Sequence, residues 1–498
     1  MNRWSSIYLF LLVVVLGVPG FTRAADHSEG ESVVSLDSRR ELFVDRSLID
    51  QLDGLHLALN TPRDEGIVLA FDKPWEGRAS GYVTVIQDGS RYRLYYRGWP
   101  TGGPSGNKAE VTCVADSNDG VHWTKPELGL FEVHGTRANN VVLANDPPYS
   151  HNFSPFLDAR PGVPESERYK ALAGHDRWGG LVAFASADGL RWRKLANEPV
   201  LRHPRTKAFD SQNVSFWSPT ENCYVCYFRT WTGKDHLGVR LISRATSEDF
   251  LKWSAAEVME YRHSSTDAPL EQLYTNQTQP YFRAPHIQIA LAARFMPGRQ
   301  VITAAEARAV GIDPARIGDC SDMVLLVTRG GNVYQRTFME GFVRPGIGPE
   351  NWVTRTNYPA LGIVQTSPNE MSIYANCNYG QPTASLRRYS MRLDGFASVR
   401  APYEGGEMLT RPLTFTGKRL SLNFATSAAG GIRVEIQDPS GSPIPGYTLA
   451  ESVETIGNEI DGAVSWKNGE DVGPLAGRPI RLRFVMKDAD LYSLRFCE

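Results

Sequence analysis

Short runs in which apolar and polar residues alternate recur along most of this chain, and several of them end in closely related turns. The runs at 111–115, 181–185 and 239–244 lead into three heptapeptides: Ser-Asn-Asp-Gly-Val-His-Trp at 117–123, Ser-Ala-Asp-Gly-Leu-Arg-Trp at 186–192 and Ser-Glu-Asp-Phe-Leu-Lys-Trp at 247–253. Alternation with a period of two predicts β-strands, and an Asp-Gly pair after such a run predicts a hairpin turn. One antiparallel unit is therefore reused, and Asp119, Asp188 and Asp249 are expected to be turn residues.

The spacing of these units, roughly 60 to 70 residues, is typical of a β-propeller, in which small antiparallel sheets are arranged around an axis. Each unit contains an inner strand, a second strand that ends in a polar or aromatic cluster, and a third strand before the turn. Two further units with eroded turns are predicted at 274–331 and 361–395, which gives five blades. The Ala-rich residues 301–318 are expected to form a helical insertion in the fourth blade.

After about residue 402 the chain consists of short alternating strands separated by Gly, Pro and Asn, a pattern that predicts a β-sandwich. We therefore expect an all-β protein. A five-bladed β-propeller at 25–402, with an N-terminal lead-in strand, is followed by an accessory β-sandwich at 403–498. The lead-in at 40–51 is expected either to close the ring or to pack beneath it.

The N-terminus has the features of a secretory signal peptide. Arg3 supplies a positive charge, residues 7–18 are apolar, and Thr22-Arg23-Ala24 resembles a cleavage site, so residues 1–24 are predicted to be removed. An apolar stretch of about a dozen residues is too short to span a membrane, and no other segment qualifies. We expect an exported protein, periplasmic or extracellular, without a membrane span.

The composition excludes some classes of partner. A net charge of −2 over 498 residues lacks the basic excess that a nucleic-acid partner requires. Six cysteines are too few for a disulfide scaffold in this chain, and Cys223 and Cys226 would point to opposite faces of a strand. No cofactor is predicted to be required. His151 and His175 leave open a structural cation in the propeller channel, although two histidines are a weak metal signal.

Propeller geometry predicts where a site would lie. In each blade the inner strand starts at one rim of the axial channel and the second strand returns to that rim, so residues at both points face one mouth. Before the inner strands lie Glu76, His151, Asp210 and Glu271. After the second strands lie Arg97, Trp99, His175, Asp176, Arg229, Trp231, Arg294 and Tyr379. We expect all of these side chains to converge on one cavity.

This set of residues favours chemistry on carbohydrates. Paired carboxylates suit cleavage of a glycosidic bond because one donates a proton to the leaving oxygen while the other, ionised, activates water or stabilises positive charge. We therefore predict that Glu76, Asp210 and Glu271 form the catalytic set. Tryptophan faces would pack on sugar rings and arginines would bind hydroxyls or an acidic substituent, so the other residues are predicted to bind an oligo- or polysaccharide.

A resemblance to a known group rests on four features: the Ser-x-Asp-Gly-x-x-Trp turns, Asp-Lys-Pro-Trp-Glu at 72–76, Phe-Asp-Ser-Gln-Asn-Val-Ser-Phe-Trp at 209–217, and the C-terminal strands. The chain resembles the five-bladed propeller glycosidases of glycoside hydrolase families 32 and 43. The resemblance implies a carboxylate base or nucleophile on the first blade, a pKa-tuning aspartate on the second and a glutamic acid on the third. Glu76 takes the first position. The second blade offers His151 and Asn152 instead, and no matching acid motif follows, so Asp210 and Glu271 would have to serve.

Two other functions stay open beside the glycoside hydrolase. The first is a non-catalytic glycan-binding propeller that keeps the aromatic rings and arginines without a competent acid pair. The second is a sialidase-like hydrolase of acidic sugars, which would need three arginines on one carboxylate and a tyrosine nucleophile nearby. The sugar, the linkage, the stereochemistry of the reaction and the oligomeric state are not predicted.

Overall fold

The computed structural model describes residues 33–204, 208–233 and 237–498. The predicted signal peptide at 1–24 lies outside the described residues. Within them, five antiparallel sheets succeed one another, and the inner strand of each sheet contacts the inner strands of the next and previous sheets in a closed ring. The five-bladed propeller that the repeats predict is therefore confirmed.

The first three blades have four strands each. Blade 1 contains Gly81–Asp88, Arg91–Gly98, Val111–Ser117 and Val141–Leu143. Blade 2 contains Ser154–Leu157, Tyr169–His175, Gly180–Ser186 and Arg193–Lys194. Blade 3 contains Val214–Ser218, Cys223–Trp231, Arg240–Ser247 and Glu257–Val258. The middle strands are buried on both faces because each blade packs between two neighbours.

Blade 4 carries the predicted insertion. Its main strands are Leu273–Tyr281, Ala284–Pro297, Asp319–Thr328 and Val333–Gln335, and Glu260–His263 and Thr266–Asp267 extend its outer edge. Between the second and third strands lie the helix Ala304–Ala309 and the 3-10 turn Pro314–Arg316. The helix begins with a capping box, in which Thr303 and Glu306 bond each other's backbone N–H groups.

Blade 5 closes the ring with a strand from the N-terminal part of the chain. Its strands are Tyr358–Pro359, Val364–Ser367, Glu370–Cys377, Ser385–Arg392 and, outermost, Arg63–Ala70. The last two pair in antiparallel fashion. Closure therefore depends on main-chain hydrogen bonds between segments more than 300 residues apart in the chain, as Ser385 opposite Ala70 illustrates.

The C-terminal residues form a second antiparallel body around its own core. Its two long strands, Arg419–Gln437 and Arg481–Cys497, pair over most of their length. Ala397–Ala401, Gly406–Thr410 and Asn458–Ala463 pair along their edges. Both halves of each long strand contribute to one buried core. The protein is thus all-β, as predicted, and the face-to-face layering of a sandwich stays a prediction.

The segment ahead of the ring joins the C-terminal body. Four of its strands pair there: Val34–Asp37, Glu41–Leu42, Ile49–Asp53 and His56–Leu59. The lead-in predicted at 40–51 therefore does not close the ring. The C-terminal body also includes Ala397–Ala401 and these N-terminal strands, so its strands do not all follow the predicted boundary at 402/403. The reason is that period-two alternation identifies a strand without specifying the sheet edge with which it pairs.

The repeated turns have the geometry that their sequence predicts. Asp188 Oδ1 accepts hydrogen bonds from the backbone N–H groups of Leu190 and Arg191, both at 2.8 Å. Asp119 and Asp249 accept the equivalent pair of bonds in their own turns. These aspartates are turn residues on the outer part of each blade, as predicted.

The third turn has Phe250 where the other two turns have a glycine with a positive φ angle. Gly120 and Gly189 have φ values of 73° and 71°, and Phe250 occupies the same position with a φ of 68°. A side chain in this left-handed region costs about 1–2 kcal/mol. The Phe250 ring is fully buried in the core of blade 3, and this burial offsets the cost.

Candidate active site

One mouth of the propeller channel opens into a cavity of about 300 Å³. Every blade contributes to its wall, and blades 1, 2, 3 and 5 do so through residues just before inner strands or just after second strands. The sequence-predicted residues that line it are Arg97, Trp99, His151, Asp210 and Tyr379. The rule that brings these two kinds of position to one rim therefore holds for residues from blades 1, 2, 3 and 5.

Hydrogen-bonded side chains cross the channel and form the floor of this cavity. Gln212 Nε2 donates to Thr84 Oγ1 at 2.9 Å, and Gln277 Nε2 donates to Gln212 Oε1 at 2.8 Å and to the carbonyl oxygen of Pro359 at 3.0 Å. Both glutamines are buried. Thr84 also lines a second, more apolar cavity at the opposite mouth. The channel is therefore closed by side chains from several blades, and the first cavity is a pocket.

Asp210 is the carboxylate at the centre of the cavity. Its Oδ1 lies 3.2 Å from His151 Nε2 and 3.5 Å from His175 Nε2, and its Oδ2 lies 3.3 Å from Arg229 Nη2. Burial acts to raise the pKa of Asp210, but hydrogen bonds from the two histidines and the charge of Arg229 hold it well below the usual range. Asp210 is therefore ionised at neutral pH, and about a quarter of its side chain, 26%, is exposed.

His151 links Asp210 to a second, fully buried carboxylate. Its Nδ1 lies 3.0 Å from Glu110 Oε2, on the side of the ring opposite Asp210. Glu110 also accepts a hydrogen bond from the backbone N–H of Gly106 at 2.9 Å. Glu110 is not among the predicted site residues, because it belongs to neither of the two positions in each blade from which they were taken. The third strand starts at the same rim where the second ends, so this position could have been included.

His175 is held in its cationic form. Burial acts to lower the pKa of His175, but the carboxylates of Asp176 and Asp210 raise it to about 9. Its Nδ1 lies 2.6 Å from Asp176 Oδ1, and its side chain is almost completely buried. A protonated His175 therefore supports the ionised state of Asp210 throughout the neutral range.

We expect His175 to make stability depend on pH. A pKa of about 9 in the folded protein, against about 6.5 unfolded, means that its contribution is fully present below pH 6.5 and is lost as the pH rises through 9. The free energy of unfolding of wild type should exceed that of His175→Gln by about 2–3 kcal/mol at pH 6. Urea unfolding at a series of pH values measures this difference, with the exposed His56→Gln as the control. A difference that stays constant up to pH 9.5 would contradict the assignment.

Arginine and aromatic side chains form the wall. Arg97 donates to the backbone oxygen of Ala79 at 3.0 Å, and its guanidinium carbon lies 4.6 Å and 4.8 Å from the ring centres of Tyr82 and Trp99. Arg229, which contacts Asp210, lies 5.1 Å from the ring centre of Tyr274. Such contacts position guanidinium groups at the cavity without neutralising them.

Several lining residues were missed by the sequence analysis: Arg78, Tyr82, Gln212, Tyr274, Arg316, Arg355 and Tyr358. Tyr82 and Tyr274 each stand one residue inside an inner strand, so a wider window would have included them. Arg316 comes from the blade 4 insertion and Arg355 from the connection between blades 4 and 5. Neither segment belongs to the repeat, so no phasing argument could have found them.

Of the predicted binding residues that do not line the cavity, four lie beside it or behind it. His175 and Arg229 contact Asp210, Asp176 contacts His175, and Trp231 lies beside Arg229. Their predicted role in substrate binding stays a prediction. The geometry gives His175 and Arg229 a position from which they orient Asp210.

The structure does not bring Glu76 to the cavity. Glu76 is completely buried inside blade 1, where its Oε2 lies 2.6 Å from Lys125 Nζ and its Oε1 accepts a hydrogen bond from the Tyr96 hydroxyl at 2.5 Å. The prediction that Glu76 faces the same mouth of the channel as Asp210 is therefore wrong. A turn in which the Glu76 N–H donates to the Lys73 oxygen directs the side chain inward, toward a buried cation.

We expect Glu76→Gln to lower stability by about 2 kcal/mol, because the substitution removes one partner of a buried ion pair while Asp72 still compensates Lys125. Binding of saccharide at the Asp210 cavity should be unchanged. Thermal unfolding and a binding titration measure the two effects, with the exposed Glu132→Gln as the control. A loss of binding without a loss of stability would show that Glu76 takes part in the binding site.

Glu271 and Arg294 also lie outside the cavity. Glu271 Oε1 lies 2.9 Å from Arg294 Nη1, and Glu271 Oε2 lies 2.5 Å from Arg336 Nη2. Arg294 also pairs with Asp322 at 2.5 Å. The prediction of convergence is wrong for these two residues, because a four-membered ion-pair network holds them at a separate surface cavity. Asp210 is thus the one member of the proposed catalytic set that lines the central cavity.

Among the described residues, no group of three or more His, Cys, Asp or Glu side chains is placed to hold a metal ion. The structural cation stays a prediction. In the parts of the chain that the structure describes, each helix is too short or too polar to cross a bilayer. All six cysteines are unpaired, and Cys226 is buried in its strand.

No protein-family model and no curated protein match the chain. Among solved structures, a fructofuranosidase from Schwanniomyces occidentalis complexed with fructosylnystose is 12% identical over 88% of this chain and 98% of that one, with a TM-score of 0.38. A thermostable family-43 glycoside hydrolase is 12% identical over 66% and 95%, with a TM-score of 0.38. An N-acetylgalactosamine deacetylase from F. plautii in complex with blood group B trisaccharide is 12% identical over 68% and 96%, with a TM-score of 0.43. The five-bladed ring itself is shown by the strand pairing and the contacts between inner strands.

Proposed function

We propose that the protein binds a saccharide in the central cavity and hydrolyses a glycosidic bond there. The observation that carries this proposal is the position of Asp210, an ionised carboxylate in a pocket walled by tyrosine and tryptophan rings. Aromatic rings pack on the apolar faces of sugars. An ionised carboxylate stabilises the positive charge that develops at the anomeric carbon, or activates the attacking water.

The roles within the site follow from its contacts. Asp210 is assigned the base or charge-stabilising role, because its pKa is too low for it to donate a proton at neutral pH. His175 and Arg229 keep it ionised and orient it. His151 both contacts Asp210 and lines the cavity, so its position makes it the candidate proton donor to the leaving oxygen. Export, predicted from the N-terminus, fits a polysaccharide met outside the cytoplasm.

A specific observation favours a second function, glycan binding without hydrolysis. Asp210 is the sole carboxylate among the described residues that line the cavity, whereas glycosidases ordinarily place two at the scissile bond. A binding protein needs the aromatic wall and the arginines but no second acid.

A panel of defined neutral and acidic oligosaccharides distinguishes the two functions. Each is incubated with the wild-type protein, released sugars are separated by chromatography, and binding is measured by calorimetry. New reducing ends in proportion to enzyme concentration support hydrolysis. Binding without products supports the second function. If no saccharide binds or is cleaved, both proposals are wrong.

A further inference from the structure

The central cavity carries an excess of positive charge. Among its lining residues are four arginines, Arg78, Arg97, Arg316 and Arg355, and the single carboxylate of Asp210. Two further carboxylates, Glu110 and Asp176, lie behind His151 and His175 and do not line the cavity. A concave site with low-dielectric walls and one sign of charge concentrates ligands of the opposite sign.

Arg316 and Arg355, both partly exposed, differ from the ion-paired arginines of blade 4. Their guanidinium carbons lie 5.9 Å and 5.3 Å from the centre of one ring, that of Tyr379, and neither is within 4 Å of a described carboxylate. Burial raises the pKa of the nearby Asp319 against the charge of Arg355, and the Asp319 carboxylate accepts a hydrogen bond from Thr354 Oγ1 at 2.9 Å. By contrast, Arg294 and Arg336 are both paired with Glu271.

The positive charge of the arginines affects the neighbouring Tyr274. Burial acts to raise the pKa of Tyr274, yet the charges of Arg355 and Arg229 lower it below its ordinary value. Arg355 lies 5.4 Å from the centre of the Tyr274 ring. The two arginines therefore favour the ionised form of Tyr274, whereas burial raises the pKa of Tyr358, which lines the same cavity.

Hydrogen-bond donors around the cavity also lack partners. Three buried N–H groups of lining residues have no acceptor among the described residues: Arg97 Nε, Trp99 Nε1 and Asn376 Nδ2. Buried donors without acceptors are costly, so an acceptor oxygen bound beside these three groups would relieve that cost.

We propose that the substrate is an acidic saccharide and that Arg316 and Arg355 bind its oxyanion, a carboxylate or a sulfate ester. The planar guanidinium fork matches both groups, because each presents two coplanar oxygens. The inference rests on the proposed function in that the ligand is taken to be a saccharide. It goes beyond that function because it defines the substrate class and assigns specificity to two residues outside the repeat.

The test compares matched disaccharides that differ in one substituent: a glucose-terminated form, its glucuronic acid counterpart, and its 6-sulfated counterpart. Calorimetry on the wild-type protein should show at least about tenfold tighter binding of one acidic form than of the neutral form. The preference should shrink as salt increases, because the charges are partly exposed. The two acidic arms distinguish carboxylate from sulfate.

Arg316→Ala and Arg355→Ala should each weaken binding of the preferred acidic form by about 10- to 100-fold, with less than twofold change for the neutral form. Arg316→Lys and Arg355→Lys should lie between, because lysine keeps the charge and loses the fork. Arg308→Ala, an exposed residue of the same insertion, is the matched control and should bind as wild type. Thermal unfolding checks that each variant is folded.

Equal binding of neutral and acidic forms by the wild type, or unchanged acidic binding in both alanine variants, would overturn the inference. If the neutral form alone is bound or cleaved, the inference is wrong and the proposed function stands. If no saccharide binds, both are wrong. The comparison of neutral and acidic saccharides uses only the wild-type protein, so it tests the proposal even if a substituted protein fails to fold.

Discussion

Replacing Asp210 with asparagine is expected to lower turnover of a saccharide substrate by about 10²- to 10⁴-fold. Asparagine keeps the size of the side chain but removes the negative charge that faces His151, His175 and Arg229. No other carboxylate among the described lining residues can replace it. Initial rates on the best substrate of the panel measure the loss, and Asp267→Asn, at an exposed side chain on the edge of blade 4, is the control.

The same substitution separates a catalytic role from a structural one. Without Asp210, His175 keeps only Asp176 as a negative partner, so the pKa of His175 should fall from about 9 toward its ordinary value. A titration of the histidines followed by NMR would detect this change in folded Asp210→Asn protein. A variant that turns over substrate at the wild-type rate, with the pKa of His175 lowered, would show that Asp210 serves only to hold the histidine.

Asp394→Ala is expected to destabilise the protein by about 3–5 kcal/mol, since it removes the buried carboxylate that pairs with Arg40 and Arg283. Asp394 is completely buried at the junction of the propeller and the C-terminal body. Its Oδ2 lies 3.4 Å from Arg40 Nη1 and 3.3 Å from Arg283 Nη1. It also accepts hydrogen bonds from Tyr281 at 2.8 Å and Ser493 at 2.7 Å. One carboxylate thus satisfies groups from both bodies.

Urea unfolding followed by circular dichroism measures this effect. The matched control is Asp461→Asn, because Asp461 contacts the same two arginines but has 56% of its side chain exposed. Exposed pairs contribute about 0–1 kcal/mol, so the control should be close to wild type. Equal losses in the two variants would mean that the buried position of Asp394 does not matter. Loss of cooperativity in Asp394→Ala would indicate that the two bodies unfold separately.

The repeated turns explain why so much of the ring could be predicted from the sequence. Hydrogen bonds to Asp119 and Asp188 are local, so the same short pattern produces the same turn wherever it occurs. Once the blades are phased, topology alone brings Arg97, His151 and Asp210 to one rim. Side-chain contacts do not have to be known to predict this convergence.

The failures lie where contacts between distant residues decide the outcome. Glu76 and Glu271 occupy rim positions in the sequence, yet Lys125 and Arg336 hold them away from the cavity. Pairing partners so far apart cannot be read from a repeat. Arg355 illustrates the opposite failure, because it reaches the cavity from a connection that the repeat does not include.

Both bodies contain paired strands that are far apart in the chain, and this affects how the protein folds. Glu41 pairs with Leu494, and Arg63–Ala70 completes a blade whose other strands follow some 300 residues later, as the pairing of Ala70 with Ser385 shows. Neither body can be finished while the ribosome is still making the residues between them. Contacts of such high sequence separation slow folding and leave strand edges open to aggregation in the meantime. Strand edges therefore stay unpaired in the propeller until residues near 385, and in the C-terminal body until residues near 494, have been synthesised.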